Sequence, residues 1–351
     1  MRRRAVLLGL AALPGVVVPG LARAQGFAGL GQGAPGFALP VPRPLVFPAD
    51  HGAHPDFRIE WWYLTAVLTA ADGAPMGLQW TLFRTALAPG EAPGWDSPQL
   101  WMGHAAVTTA TRHAVAERLA RGGTGQAGVT AAPFAAWIDD WAMAGATPED
   151  VRLTARGADF AYDLRLVAEG PLVPQGDAGY SVKSAAGQAS HYYSQPFYRA
   201  QGRIALDGAT RAVTGQAWLD REWSSQPLAP DQTGWDWFSL ILDDGARMMG
   251  FRLRDAGAGY ASATWIAPDG TPDPQQPGAL RVTPRDLARV AGRQVPVVWR
   301  VELPARGLDV TVTALNPQSW MATSVPYWEG PVSVTGSHTG RGYLEMTGYA
   351  P

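Results

Sequence analysis

Trp61-Trp62-Tyr63-Leu64-Thr65-Ala66-Val67-Leu68 is a β-prone run closed by Asp72-Gly73, and the chain resumes it from Met76 to Leu82. Aromatic and β-branched residues bounded by an Asp-Gly pair read as a hairpin. The layout returns at Trp235 to Leu242, closed by Asp243-Asp244-Gly245 and resumed from Arg247 to Leu253. Two such openings predict two related β units in tandem, with no short solenoid period. Further strands are expected at Asp159 to Val167, Gly202 to Leu206, Val213 to Trp218 and Tyr260 to Ile266. Four more are expected at Val297 to Leu303, Leu308 to Ala314, Val332 to His338 and Gly342 to Thr347. Asp309-Val310-Thr311-Val312-Thr313 alternates apolar and polar side chains, as a half-buried strand does.

Helical signals are few. A short helix is expected near His113 to Ala120 and a single helical turn at Thr147 to Asp150. An α/β fold needs long helices between strands, and none is indicated. The 41 Gly and 30 Pro, well above the ~12% of average chains, suit short elements joined by tight turns. The fold class expected is all-β, as two tandem antiparallel β-barrels. The boundary is expected between Leu206 and Trp235, dividing residues 45–225 from 226–351.

The N-terminus resembles an export signal. Arg2, Arg3 and Arg4 precede an apolar run from Ala5 to about Val18, and Ala22-Arg23-Ala24 has the spacing of a signal-peptidase site. Pro14, Gly15, Pro19 and Gly20 interrupt the run, which is short for the ~20 apolar residues of a spanning helix. Residues 1–24 are therefore expected to be cleaved, by the general or the twin-arginine route, leaving a periplasmic or secreted protein with no membrane span. Residues 25–44, rich in Gly, Ala and Pro, are expected to form a flexible tether. The whole chain carries a net charge of −2, and losing the four arginines of residues 1–24 leaves −6. That sign argues against a nucleic-acid partner. With no Cys, thiolate metal sites, iron–sulfur clusters and cysteine nucleophiles are excluded.

Familiar catalytic signatures are missing: no G-x-S-x-G, no H-E-x-x-H, no P-loop and no dinucleotide fingerprint. Four aromatic clusters carry ionisable groups instead. The first runs from Phe47 through Asp50, His51, His54 and Asp56 into Glu60-Trp61-Trp62-Tyr63. The second is Ser190-His191-Tyr192-Tyr193-Ser194, and the third is Trp218-Leu219-Asp220-Arg221-Glu222-Trp223. The fourth is Tyr327-Trp328-Glu329-Gly330-Pro331, followed by Gly340 to Gly348.

Strand alternation puts His191 and Tyr193 on one face and Tyr192 on the other, while Trp218, Asp220 and Glu222 share a face. A carboxyl beside tryptophan in a barrel interior is desolvated, which raises its pKa toward that of a general acid. Aromatic walls can stabilise a developing cation through their π faces. The plainer alternative makes Asp220, Arg221 and Glu222 structural ion pairs and the tryptophans packing. Asp50, His51, His54 and Asp56 offer nitrogen and oxygen donors at close spacing, but Gly52 and Pro55 place them in a loop better suited to turn and capping roles. No metal is expected. His104, beside Trp101 and Met102, is expected inside; His113 and His338 stand alone in sequence.

F-P-x-D-H-G-x-H-P-D-F-R-x-E-W-W-Y, S-H-Y-Y-S, W-L-D-R-E-W-S, and Y-W-E-G-P-V-x-V-x-G with G-Y-L-E-M-T-G-Y resemble the AttH-like proteins over about Leu45 to Tyr349. These secreted bacterial proteins, often labelled hydrolases, are grouped with the carotenoid 1,2-hydratases in a lipocalin-like superfamily. The resemblance implies two consecutive lipocalin-like barrels, though Glu60-Trp61-Trp62 stands where a lipocalin has G-x-W. It also implies cofactor-free hydration or cyclisation of an isoprenoid or polyene double bond, and an ABC-type exporter as partner. The hydratases pair a His-x-aromatic with an aromatic-x-Asp. His191 with Tyr193 and Trp218 with Asp220 match that pattern and are the expected catalytic residues. Tyr193 replaces a Trp and Trp218 a Tyr, so substrate shape and proton routing differ.

In the enzyme reading Asp220 is the acid, and His191 orients or activates water within one water of it. In the carrier reading the same residues only line a cavity for an apolar small molecule or lipid. Glu60, Trp61, Trp62, His104 and Tyr192 are expected to line the site. So are Glu222, Trp223, Trp237 and Glu329. Hydrolysis lacks a nucleophile–base pair, because Ser194 and His191 fall on opposite faces. A His191 on the far wall from Asp220 would favour the carrier.

Overall fold

A computed structural model describes residues 35–349. The expected signal segment, residues 1–24, and residues 25–34 of the expected tether lie outside the described residues. Residues 35–44 hold no strand, but Ala38 N donates to Asp56 O at 2.9 Å and Arg43 pairs with Asp50.

The described residues form β-strands and short 3-10 turns, with no α-helix. The first sheet opens with β1 (Ile59–Ala70), β2 (Pro75–Ala86), β3 (Gln99–Thr108), β4 (His113–Arg121), β5 (Ala127–Ala131), β6 (Phe134–Ile138) and β7 (Trp141–Gly145). It continues with β8 (Asp150–Arg156), β9 (Phe160–Ala168), β10 (Val173–Pro174), β11 (Tyr180–Val182), β12 (Ala189–Leu206) and β13 (Ala209–Ser224). The second sheet contains β14 (Gly234–Leu242), β15 (Arg247–Arg254), β16 (Tyr260–Ile266), β17 (Pro272–Pro274) and β18 (Arg281–Val290). Its remaining strands are β19 (Arg293–Leu303), β20 (Leu308–Ala314), β21 (Trp320–Met321), β22 (Tyr327–Gly336) and β23 (Gly340–Met346). Pairing is antiparallel throughout, in the orders β4-β3-β2-β1-β13-β12-β9-β8-β7-β6-β5 and β17-β16-β15-β14-β23-β22-β20-β19-β18. Each sheet curls around its own apolar core.

The helix expected near His113 to Ala120 is instead β4, with His113 opposite Thr108 and Glu117 opposite His104. Pairing along the edge of β3 outweighs the helical propensity of its alanines. The turn expected at Thr147 to Asp150 is a bend and turn leading into β8.

A third apolar cluster lies between the sheets and positions the candidate site. Trp62, Leu64, Ala66 and Leu68 face the first core, whereas Tyr63 and Val67 join Trp218, Trp237, Ile241 and Tyr343 between the sheets. β1 is thus buried on both faces, which explains why its sequence is almost continuously apolar. The approach is close: a Cβ on Gly77 of β2 would stand 2.6 Å from Pro331 Cγ of β22.

Candidate functional site

Asp207 and Gly208 join β12 to β13, both with left-handed backbone (φ 50° and 82°), as a two-residue hairpin turn requires. The hairpin sets Tyr192 opposite Glu222 and Ser194 opposite Asp220. One extra residue between Gln195 and Tyr198 makes a bulge, so Tyr198 turns into the first core while Tyr192 faces the space between the sheets. On the other side of β13, Asp220 stands opposite Tyr63 of β1. Directly opposed residues of an antiparallel pair share a face. Tyr192, Ser194, Asp220, Glu222 and Tyr63 therefore all project between the barrels.

There Tyr63, Tyr192, Asp220 and Glu222 line a cavity of about 110 Å³. The second sheet contributes Trp235, Trp237, Phe251 and Glu345 to it, and Trp61, Lys183 and Leu228 complete most of the wall. Asp220 is buried and accepts hydrogen bonds from Ser194 Oγ at 2.5 Å, Tyr192 Oη at 2.5 Å and Trp218 Nε1 at 2.6 Å. Burial pushes its pKa up to about 7 against the pull of those three donors. Trp237 Nε1 donates to Tyr192 Oη at 3.2 Å, tying the second sheet to this cluster. Glu345 accepts from Trp235 Nε1 at 2.5 Å, and burial pushes its pKa to about 7, with Asp220 adding to the rise. Glu222 is compensated by Lys183 at 2.7 Å and also accepts from Ser190. The Lys183 ammonium lies 4.8 Å from the Tyr192 ring centroid and 4.4 Å from that of Phe251.

The opposite face of β12 and β13 is a separate polar cluster at the end of the first barrel. Arg221 Nη2 is 2.7 Å from Glu60, which also pairs with Arg84. Burial alone would raise the Glu60 carboxyl, but Arg221 and Arg84 hold it well below the usual range. Arg221 also lies over the Trp62 ring at 3.7 Å, and Trp223 stacks on His54 at 4.0 Å. His51 Nδ1 is 2.7 Å from Tyr193 Oη. His54 reaches Glu60 and Asp50, each at 3.1 Å, and Arg43 closes on Asp50 at 2.9 Å. Asp50, His51 and His54, the closely spaced donors of the first cluster, are thus engaged in ion pairs and hydrogen bonds. Among the described residues no group of three acidic or histidine side chains is placed to hold a metal ion.

This division corrects the expected pairing of His191 with Asp220. His191 stands opposite Trp223, and its ring packs at 5.2 Å from that indole, on the barrel-end side of the sheet. Tyr193 shares that side, opposite Arg221. Neither lines the cavity with Asp220. Burial lowers His191 to a pKa of about 4. Alternation separated His191 from Tyr192 correctly, but it cannot say which face of β12 matches which face of β13. A second correction follows: Asp220 lies between the barrels, not inside one.

Of the expected lining residues, Trp61, Tyr192, Glu222 and Trp237 line the cavity, whereas Glu60, Trp62 and Trp223 belong to the barrel-end cluster. His104 and Glu329 lie between the sheets but outside the cavity wall. Sequence reasoning missed Tyr63, Lys183 and Glu345. Glu345 sits in the G-Y-L-E-M-T-G-Y segment, two residues from Tyr343 and so on its face. Lys183 is the only lysine among 28 basic residues, a signal available without a structure.

A profile of the AttH-like family matches residues 39–349. No curated protein matches the chain. The crystal structure of an AttH from Nitrosomonas europaea superposes with a TM-score of 0.79 and 36% identity, covering 90% of this chain and 100% of that one. Kievitone hydratase from Nectria haematococca superposes at 0.67 with 14% identity, over 90% of this chain and 98% of its own. CghA, solved with Sch210972, reaches 0.53 with 16% identity, over 90% and 97%. These last two share the fold, an all-β lipocalin-like architecture. By the extent of the family match and the identity to the Nitrosomonas protein, the chain belongs to the AttH-like family.

Proposed function

We propose that the protein is a periplasmic hydro-lyase or isomerase-type enzyme acting on an uncharged, apolar, unsaturated molecule between its barrels. One observation carries this reading: two buried carboxyls, Asp220 and Glu345, line a single aromatic-walled cavity, and both have pKa values of about 7. Two acids poised near neutrality are the equipment of general acid–base chemistry. Asp220 in its protonated form gives its proton to one carbon of a C=C bond. The cation left on the other carbon faces Trp61, Tyr192 and Trp237. Glu345 then takes a proton from an attacking water, giving an alcohol, or from the adjacent carbon, giving a shifted alkene. Glu222 and Lys183 compensate each other, so a neutral ligand meets no uncompensated charge from them. The signal-like start of the chain supports the compartment, and the hydratase among the structural neighbours supports the chemistry without naming a substrate.

The carrier reading retains support from the position of His191, which removes the expected base from beside Asp220. The two separate on one experiment. Lipids and polyenes co-extracted with the exported protein are identified by mass spectrometry and offered to wild type and to Asp220→Asn. The enzyme reading expects wild type to return a product that is hydrated or isomerised, and the variant to bind without converting. Conversion unchanged in the variant removes Asp220 as the acid. Ligand returned unaltered by both proteins makes the protein a carrier.

A further inference from the structure

A buried carboxyl, that of Glu329, stands outside the cavity. Both carboxyl oxygens of Glu329 are buried without a partner of ordinary geometry, and so is the Tyr63 hydroxyl. The hydroxyls of Tyr63 and Tyr327 are nevertheless close enough to Glu329 to bias its charge, and that of Tyr63 does the same to Glu345, which stands directly opposite Glu329. A polar group so placed is costly, and its presence calls for an explanation.

Register shows what surrounds it. Across the first sheet, Asp220, Tyr63, Thr81, His104 and Glu117 stand in one directly opposed row over β13, β1, β2, β3 and β4. Successive members of such a row have Cβ atoms about 5 Å apart on one face. Across the second sheet, Trp237, Glu345 and Glu329 form a facing row over β14, β23 and β22. Tyr327, two residues before Glu329, shares its face. The rows meet where His104 Nδ1 lies 3.0 Å from Tyr327 Oη. From His104 the contacts reach the rim: Nε2 lies 3.2 Å from Glu117, whose carboxylate also accepts from Ser324 and is 23% exposed.

We infer that Glu117, His104, Tyr327, Glu329 and Tyr63 form a proton path that connects solvent at the edge of the first sheet with Glu345 on the cavity wall. In each passage one proton enters at one end and one leaves at the other, and every group between finishes as it began. Burial holds the Glu329 carboxyl well above its usual pKa, so it serves as a neutral donor midway. The path rests on the proposed acid–base role of the cavity for its purpose: it restores the proton state of Glu345 while a ligand blocks the cavity mouth. His104 and Tyr327 are positioning and transfer groups in it. They do not touch the reacting atoms.

The test needs no substrate, so its failure is separate from failure of the enzyme reading. Infrared spectra of the full-length protein show the carbonyl stretches of buried protonated acids, and Glu329→Gln, Glu345→Gln and Asp220→Asn assign the bands. On transfer to D2O, the Glu329 band shifts at the rate at which deuterons reach it. Tyr327→Phe keeps the ring and removes the hydroxyl; Glu117→Gln removes the outermost acid at a partly exposed position. Each is expected to slow exchange of the Glu329 band at least tenfold while leaving the Asp220 band unchanged, which also reports an intact fold. Unchanged exchange at Glu329 in both variants, or faster exchange from water entering the gap, overturns the path. So does a wild-type spectrum with no band that Glu329→Gln removes.

Discussion

Asp220 and Tyr63 stand directly opposite each other on β13 and β1, and both side chains leave the first barrel for the space between the sheets. That pairing takes the carboxyl out of water without placing it in a barrel lumen. The wall opposite belongs to the second sheet, so Glu345 and Trp237 reach the cavity only because two barrels pack together. The site is a property of the pair of barrels.

Asp220→Asn is expected to change how stability depends on pH. An unfolded aspartate titrates near ~4, below the folded value of about 7. The folded state holds its proton across that interval, so the contribution is complete below the unfolded pKa and is lost as pH rises through the folded one. Glu345 behaves in the same direction. The variant removes the Asp220 part, and its stability relative to wild type rises by on the order of 2 kcal/mol between about pH 5 and about pH 8. Urea denaturation at those two pH values measures it, and parallel curves would refute it.

Tyr192→Phe and Ser194→Ala each delete a hydrogen bond that favours the Asp220 carboxylate. Both are expected to move its titration above about 7, whereas His191→Gln, on the other face, leaves it in place. Infrared titration of the Asp220 carbonyl band checks all three. An upward or downward shift in His191→Gln would show that the two faces are coupled.

Gly77→Val probes the packing of the barrels. Its Cβ meets Pro331 of the opposite sheet, in ring atoms that cannot swing aside. Overpacking of this kind costs about 1–3 kcal/mol. The expected signature is a lower denaturation midpoint together with increased access of a quencher to the tryptophans of the cavity. A drop in midpoint with no change in quenching would place the strain elsewhere.

Glu60→Gln leaves the buried guanidinium groups of Arg84 and Arg221 without their carboxylate. Breaking a buried pair from one side costs about 3–5 kcal/mol. Because Glu60 is held below its ordinary pKa, its contribution is present above the unfolded value and lost as pH falls through the folded one. The variant is therefore expected to lose most at neutral pH and to approach wild type in acid, as read by thermal melts across that range.

Local pattern carried a good deal of this protein. The all-β class, the hairpins at Asp72-Gly73 and Asp244-Gly245, and the shared face of Trp218, Asp220 and Glu222 follow from turn chemistry and a two-residue period, both short-range properties. The rise in the Asp220 pKa expected beside tryptophan is present, but the burial that causes it comes from packing between the barrels and not from a barrel interior.

Other features had no local cause. His113 to Ala120 reads as helical by propensity and becomes β4 because an edge of β3 is available to it. Alternation assigns side chains to two faces but does not say which faces of different strands coincide; cross-strand register decides that. Register put Tyr192, not His191, beside Asp220. Lys183 reaches the cavity because β11 pairs with β12, and Glu345 because the second barrel docks against the first, with Gly77 giving room for Pro331. The sequence by itself determined the all-β class, the two Asp-Gly hairpins and, along a strand, which residues share a face. Only tertiary packing decided which faces meet, because burial energy depends on the partner surface and a single strand does not contain it.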